Sequence, residues 1–351
     1  MNLSEYTSAL LSDIEGRIVP EVEDDYIDQW NRFWRGSSDD IIFSPMRKNV
    51  SESGIEIKNI HINDALNDYE LMLDMQLANV SNELKRGKNA LSIRANYGTG
   101  IITSLFGAKI FEMPRSQNTL PTTRSFNDSD IIREIVGRGV PSIHKGFGKK
   151  VFEFGEICLE VFKNYPKISK YVYMYHPDTQ GPLDIAELLW GSEMFYAMYD
   201  DPDLVHTAMR LFTDTYVSFL DKWFEMYPNR AELNAHWGIL MRGNICLRDD
   251  SAMNLSPDLY EEYALRYDKY LLERYNGGIV HFCGRGDHYV HLLTASPHLT
   301  GINLSQPHLN DMEKIYASAF GNGKKILGLE AGACHDYEGT VDPIRSMIHK
   351  S

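Results

Sequence analysis

The sequence predicts an α/β protein whose alternating strands and helices form a (β/α)8 barrel of the TIM type. Two observations support this fold class. Short apolar or alternating runs end in Gly, Pro, Asp or His, and each is followed by a segment with helical periodicity. Seven such runs follow one another after residue 85, a number that favours a barrel over an open sheet.

Residues 1–85 are predicted to form a helical extension that packs on the barrel, and residues 86–351 the barrel itself. Two segments in the extension carry apolar residues at helical spacing, YIDQWNRFWRG and DALNDYELMLDMQLANVSNELKRG. The first contains an aromatic cluster that is expected to pack in the core rather than bind a ligand: Tyr26, Trp30, Phe33 and Trp34.

The seven predicted strands lie in ALSIRANYGTG, KYVYMYHPDTQGP, AELNAHWG, GNICLRDD, GGIVHFCG, LTGINLSQP and KKILGLEAG, and IIFSP near residue 42 is a further candidate. Helical segments such as LVHTAMRLFTDTYVSFLDKWFEMY separate them. In such barrels the active site lies at the carboxyl ends of the strands. The polar residues at those ends are Tyr97, Thr99, His176, Asp178, His236, Asp249, Asp250, His281, Cys283 and Gln306.

Composition narrows the classes of partner and compartment. The formal net charge of −14 disfavours binding to nucleic acid or to anionic membranes. Four cysteines at irregular spacing predict reduced thiols in the cytoplasm rather than a disulfide framework. The N-terminal segment lacks the basic start and long apolar core of a signal peptide, and no run reaches the ~18 apolar residues of a membrane span.

The strongest local pattern is His281-Phe282-Cys283-Gly284, at the end of a predicted strand. Strand side chains alternate, so His281 and Cys283 project from the same face and could provide two corners of a tetrahedral zinc site. Cys334, after a later strand, is the best candidate for a third ligand, and Glu330 and His335 are alternatives. Three protein ligands would leave one position open, as in catalytic zinc sites.

Packing of the cysteines in the core is the alternative interpretation, because a His-x-Cys pattern is common by chance. Cys158 and Cys246 lie in apolar segments and are predicted to be core residues.

Two further strand ends carry candidate catalytic or binding groups. Asp249 and Asp250 are adjacent, so one carboxyl could have a raised pKa and act as an acid. Ser256 and Pro257 just downstream are typical of a helix start, so these acids could also serve the turn.

The second loop, from His176 to Pro182, could place Asp178 and Gln180 against polar substrate groups, or serve only as a turn. Tyr97, in the loop Asn96–Gly100, and His236 are candidate substrate-binding residues at other strand ends.

Three segments together resemble the uroporphyrinogen decarboxylase superfamily in order and spacing: HPDTQGPLDIAELLWGSEMFYAMYDDPDLV, RDDSAMNLSPDLYEEY and GGIVHFCGRGDHYVHLL. The resemblance covers roughly residues 90–345. The decarboxylases carry an MRQAGRY-type segment, of which only the start of Met46-Arg47-Lys48-Asn49 is similar. The methyltransferase branch carries a His-x-Cys-Gly segment and a later cysteine as zinc ligands, which His281, Cys283 and Gly284 match.

The resemblance implies a zinc-dependent methyltransferase. In that branch zinc binds a thiol such as coenzyme M, which takes a methyl group from a methylcorrinoid presented by a partner protein; other members use methoxylated or methylamine substrates or a folate. His281, Cys283 and Cys334 would then bind zinc, Asp250, Asp178 and His176 would be catalytic, and Gln180, Tyr97, Asp249 and His236 would bind substrate. A homodimer is also compatible with this reading.

This sequence departs from the family pattern at its C-terminal end. The later cysteine of the family lies on the last strand, whereas Cys334 comes near the next-to-last. The chain ends at IRSMIHKS, where a further helix and strand are expected, so the eighth strand would come from the N-terminal part or be missing. A metal-free decarboxylase-like lyase, and a non-catalytic barrel that binds a corrinoid or tetrapyrrole, are the alternative functions.

Overall fold

The computed structural model of the chain describes residues 3–36, 43, 45–230 and 232–328. It divides into two compact units, Met1–Asn31 with Pro45–Leu240, and Arg32–Ser44 with Met241–Ser351. Both units combine helices with parallel strands, so the predicted α/β class is confirmed. Among the described residues, no helix is long and apolar enough to cross a membrane.

The first unit is mainly helical. Its helices begin and end at local capping residues: Asp68 accepts hydrogen bonds from the backbone N–H groups of Glu70 and Leu71, and Gly87 ends the same helix with φ +75°. The helices that lie wholly in this unit are Glu5–Arg17, Ile62–Ala65, Tyr69–Arg86, Ile101–Leu105, Ser129–Arg138, Gly146–Phe162, Pro166–Tyr171, Pro182–Trp190, Glu193–Asp200 and Pro202–Met226. Pro20–Trp34 begins in it, and Arg115–Gln117 is a 3-10 turn.

The strands of the first unit are short. Ser92–Ile93 (β1), Ile110–Phe111 (β2), Thr122–Thr123 (β3), Tyr173–Met174 (β4) and Asn234–His236 (β5) lie within it, and Ile239–Met241 (β6) follows. β1 pairs with β4 in parallel, β2 with β3 in antiparallel, and β5 with β6. Arg94 directly follows β1 and His176 lies two residues beyond β4, so both lie at the carboxyl ends of this parallel pair.

The second unit is built on one parallel four-stranded sheet. Its strands are Ile245–Arg248 (β7), Gly278–Phe282 (β8), Leu299–Leu304 (β9) and Lys325–Leu327 (β10), in the spatial order β10-β9-β8-β7. Apolar strand residues such as Leu247, Val280 and Ile302 are fully buried, as expected for a parallel sheet. The register pairs Arg248 with His281 and His281 with Asn303, so three polar residues lie side by side across the sheet.

Helices connect these strands. After β7 a 3-10 turn, Asp250–Asn254, leads to Pro257–Tyr260, a π-helical turn Glu261–Leu265 and then Arg266–Arg274. Val290–Thr294, the 3-10 turn Pro307–Leu309 and Met312–Gly321 complete the unit. The predicted helix start is confirmed, because Ser256 accepts a hydrogen bond from the backbone N–H of Leu259 and Pro257 takes the first turn.

All seven predicted strand segments contain a strand, although several strands have only two or three residues. The hairpin β2–β3 and strand β6 were not predicted. Phe43, in the further candidate IIFSP, is not in a strand, and the rest of that run except Pro45 lies outside the described residues. Closure into an eight-stranded barrel and a domain boundary at residue 85 stay predictions.

Replacing Gly243 with alanine is expected to destabilise the second unit. Gly243 precedes β7 with φ +98°, and a Cβ there would lie 2.4 Å from the backbone carbon of Gly277. Strain and overlap together should lower the free energy of unfolding by about 2–4 kcal/mol. Urea unfolding would measure this loss. Gly321→Ala is the control: a Cβ there meets nothing within 4 Å, so no loss of stability is expected.

Candidate functional site

Three potential metal ligands meet at the carboxyl ends of β7 and β8. Asp250 lies two residues beyond the end of β7. His281 is the last residue but one of β8, and Cys283 comes directly after that strand. One ligand atom from each lies within 4.8 Å of the other two. His281 Nε2 is 3.5 Å from Cys283 Sγ and 3.6 Å from Asp250 Oδ1. The predicted pairing of His281 with Cys283 is therefore seen, with a carboxylate beside it.

A fourth polar atom adjoins this group. Ser305 follows β9 directly, and its Oγ lies 3.4 Å from His281 Nε2 and 3.5 Å from Cys283 Sγ. Sequence reasoning missed Ser305. The available signal was its position at the end of a predicted strand neighbouring that of His281, the same rule that selected the other candidates.

Hydrogen bonds behind His281 fix which ring nitrogen faces the cluster. Asn303 Nδ2 donates to the carbonyl oxygen of Leu327 at 2.7 Å, so Asn303 Oδ1 is turned towards His281 Nδ1. An amide oxygen can only accept, hence Nδ1 carries the proton. In the neutral ring Nε2 then presents a lone pair to Cys283 and Asp250, an arrangement that suits a cation between them.

The loop after β8 is held by backbone hydrogen bonds. The N–H of Cys283 donates to Asp250 Oδ1 at 2.8 Å, and the N–H of Gly284 donates to Gln306 Oε1 at 2.6 Å. Gly284 has φ +72°, and a Cβ there would lie 2.4 Å from Met253 Sδ. Only glycine therefore suits this position, and the loop holds Cys283 against the carboxylate.

The protein alone does not favour a thiolate at Cys283. Burial is the main cause that raises the pKa of the Cys283 thiol to about 11; the Ser305 hydrogen bond opposes this rise, and the Asp250 carboxylate adds to it. The thiol is thus protonated near neutral pH. A bound metal cation would reverse this, because coordination deprotonates a thiol.

Two buried carboxyl groups, those of Asp249 and Asp268, interact with each other in the same unit as the cluster. Asp249 and Asp268 are each 1% exposed, and Tyr260 packs fully buried beside them. Burial raises the pKa of Asp249 well above its usual value, with the Asp268 carboxyl as the next cause. The side chains of the adjacent residues Asp249 and Asp250 thus lie in different surroundings: Asp249 is buried in the core, and Asp250 lies in the ligand cluster.

The first unit contains its own polar cluster, centred on Asp178. One carboxylate oxygen pairs with the Arg94 guanidinium, and the other accepts a hydrogen bond from Trp237 Nε1 at 3.0 Å and lies 3.5 Å from His236 Nε2. Asp178 and His236 are buried. Sequence reasoning selected Asp178 and His236 but not Arg94, their partner.

The other predicted residues of the first unit are also buried. The His176 ring lies tilted against the His236 ring with centroids 4.6 Å apart, and Gln180 Nε2 donates to Asp184 Oδ2 at 3.1 Å. Gln180 Oε1 is a buried acceptor for which the described residues offer no donor. Tyr97 is fully buried and packs against Phe147. Roles for these residues in substrate binding or catalysis stay predictions.

His176 should make the stability of the protein depend on pH. Burial lowers the pKa of its imidazole to about 4, from about 6.5 in the unfolded chain. Between these values the unfolded chain binds a proton that the folded chain does not, so the stability contribution is full above pH 6.5 and is lost as the pH falls towards 4. The loss should be about 3 kcal/mol.

Urea unfolding of the wild type and of His176→Gln between pH 7 and 4.5 tests this. The variant should lose less stability on acidification, whereas His144→Gln, at an exposed position, should behave as the wild type. If the free energy of unfolding falls equally with pH in wild type and His176→Gln, then His176 is not the cause of the acid sensitivity.

The remaining cysteines divide between the core and the undescribed tail. Cys158 and Cys246 are buried, as predicted, and neither forms a disulfide. Cys334, the predicted third zinc ligand, lies outside the described residues, as do Glu330 and His335.

Comparisons with known proteins identify a fold rather than a family. No model of a protein family matches the chain, and no curated protein is a significant sequence match. Seven solved chains are similar in structure. One is a methyltransferase from Methanosarcina mazei, with 16% sequence identity over 92% of this chain and 98% of that chain, and a TM-score of 0.57. The chain therefore shares its α/β fold with this methyltransferase.

Proposed function

We propose that this protein is a zinc-dependent methyltransferase that moves a methyl group between a corrinoid carried by a partner protein and a small thiol. The observation that carries the proposal is the meeting of Asp250, His281 and Cys283 at the strand ends. The methyltransferase-like fold supports the reaction class. Folate, methoxylated or methylamine substrates are variants of the same reaction, and the completed (β/α)8 barrel is part of the proposal.

The donor set fits zinc. Imidazole, thiolate and carboxylate are zinc ligands, whereas magnesium and calcium prefer oxygen alone. With Zn–N near 2.0 Å and Zn–S near 2.3 Å, a tetrahedral site separates nitrogen and sulfur by about 3.5 Å. His281 Nε2 and Cys283 Sγ are 3.5 Å apart. Asn303 accepts from the other ring nitrogen of His281, as a carboxylate or backbone carbonyl normally does behind a ligating histidine.

The protein groups then have defined tasks. Bound zinc would supply a Lewis acid that keeps a thiol deprotonated near neutral pH. His281 and Cys283 hold that charge at the strand ends, and Asp250 Oδ1 fixes the backbone of Cys283. Asp250 Oδ2, with Arg248 Nη2 at 3.7 Å, is the oxygen that can take or return a substrate proton. Cys334 stays an alternative proposed ligand that would replace one of the described groups, and the chemistry requires a reducing compartment such as the cytoplasm.

Metal analysis with a transfer assay tests the proposal. Protein purified without chelators should contain about one zinc per chain, and it should transfer methyl from methylcobalamin to 2-mercaptoethanol. Removing zinc with a chelator should abolish transfer, and adding zinc should restore it. Metal-free protein after growth with zinc would overturn the proposal. Decarboxylation that survives the chelator would favour the lyase instead.

Asn303→Leu should weaken zinc binding by about 10–100-fold, because His281 would lose the partner that fixes its proton on Nδ1. Competition with a chelating dye measures the zinc Kd. Asn303→Asp keeps an acceptor and should keep near wild-type affinity. Equal zinc Kd values for Asn303→Leu and wild type would show that Asn303 does not orient the histidine.

A further inference from the structure

Ser305 has the geometry of a metal ligand. Its backbone N–H donates to the carbonyl oxygen of Phe282 at 3.3 Å, which ties the end of β9 to β8 beside the candidate ligands. Its Oγ lies 3.4 Å from His281 Nε2 and 3.5 Å from Cys283 Sγ. These values match the separations of His281 Nε2 from Cys283 Sγ and from Asp250 Oδ1, 3.5 and 3.6 Å.

These four separations, between 3.4 and 3.6 Å, have the lengths expected for the edges of a tetrahedral zinc site. Zinc–ligand bonds of 2.0 to 2.3 Å give tetrahedral edges of about 3.3 to 3.7 Å. A hydroxyl that only made a hydrogen bond to an imidazole nitrogen would lie nearer, at about 2.8 Å. The distance from Ser305 Oγ to His281 Nε2 therefore suits two ligands of one ion better than a hydrogen-bonded pair.

The four side chains at the corners of this candidate site differ in their exposure to solvent. The His281 side chain is buried, Cys283 and Asp250 are partly buried, and Ser305 is exposed. A neutral hydroxyl is also a weaker zinc ligand than an imidazole, a thiolate or a carboxylate. The corner that faces solvent is thus the most weakly held corner.

We propose that Ser305 Oγ occupies the fourth corner of the zinc site and that the thiol substrate enters by displacing it. This inference rests on the proposed function. In the exchange the hydroxyl leaves as a neutral group, the thiol sulfur takes its place, and the thiol proton passes by way of Asp250 Oδ2 to water. The other three ligands keep their positions.

X-ray absorption at the zinc edge tests this by counting sulfur ligands. Zinc-loaded Ser305→Cys, kept reduced, should show one more sulfur ligand per zinc than the wild-type protein, its parent. Adding 2-mercaptoethanol should raise the count by one in the parent and leave it unchanged in Ser305→Cys. Ser318→Cys adds a thiol to the same unit on helix Met312–Gly321 and should behave as the parent. Ser305→Asp, which places a charged oxygen at the corner, should bind zinc but take up no added thiol.

The outcomes separate this inference from the function on which it rests. Parent protein that binds no zinc, or zinc without sulfur, would overturn both. Parent protein that binds zinc through sulfur, with no extra sulfur in Ser305→Cys and normal thiol uptake by Ser305→Asp, would overturn the role of Ser305 alone. The same measurements in a Cys334→Ala background test whether Cys334 fills the fourth corner. If it does, the sulfur of Ser305→Cys would bind zinc only after Cys334 is removed. That result would show that Ser305 is not a zinc ligand before substrate binds.

Discussion

Replacing His281 with alanine should lower zinc affinity at least about 100-fold and reduce methyl transfer to background. His281 contributes the buried corner of the ligand group, and its Nε2 lies within 3.6 Å of both the thiol and the carboxylate. Loss of a supporting group typically weakens metal binding 10–100-fold, so loss of a ligand should cost more. The measurements are the zinc content after dialysis and the rate of transfer from methylcobalamin to a thiol.

The matched control is His291→Ala. His291 is an exposed histidine in the helix Val290–Thr294 of the same unit. This substitution should leave zinc content and transfer unchanged. Cys283→Ser should behave as His281→Ala does, because a hydroxyl replaces the thiolate.

The opposite result would identify a different chemistry. If His281→Ala keeps an activity that resists a chelator, the reaction does not need a metal, as the lyase alternative requires. A variant that keeps zinc but loses transfer would instead place the zinc elsewhere and make His281 a group that acts on the substrate.

Part of the site was predictable because strand alternation is a local rule. The spacing of His281 and Cys283 places both side chains on one face whatever the rest of the fold does. Ser305 and Asn303 could not be selected in this way. Their relation to His281 depends on the register between β8 and β9, which pairs His281 with Asn303, and neither loop length nor composition gives that register.

The adjacent residues Asp249 and Asp250 show a different limit. The sequence indicates two carboxyls at a strand end but not which one enters the core. The structure buries Asp249 beside Asp268, which follows the π-helical turn Glu261–Leu265, and leaves Asp250 with the ligand group. A π-helical turn shifts the helix face locally, so periodicity alone does not predict the approach of Asp268.

Arg94 was missed for a third reason. It is a single arginine in the strand segment ALSIRAN, and its partner Asp178 lies 84 residues away. The parallel pairing of β1 with β4 brings their extensions together, which a sequence shows only as two separate strands. The order of strands along the chain was therefore predictable, whereas the charge pairs between them were not.

Replacing Arg94 with methionine should lower the free energy of unfolding by about 3–5 kcal/mol. Arg94 pairs with Asp178, and their side chains are 18% and 6% exposed. Methionine fills much of the same volume, so the loss should come mainly from a buried carboxylate that no longer has its cation. Trp237 still donates to that carboxylate, which limits the damage. Urea unfolding followed by tryptophan fluorescence measures the change.

A second substitution separates the lost charge pair from lost packing. In Arg94→Met with Asp178→Asn, no buried charge remains and the asparagine oxygen can still accept from Trp237, so at least half of the lost stability should return. Arg133→Met removes an exposed arginine that pairs with Asp201 and should cost less than about 1 kcal/mol. If the double variant is as unstable as Arg94→Met, the Arg94 side chain stabilises the unit through its packing. The other contacts of Asp178 would then be enough to stabilise its buried carboxylate.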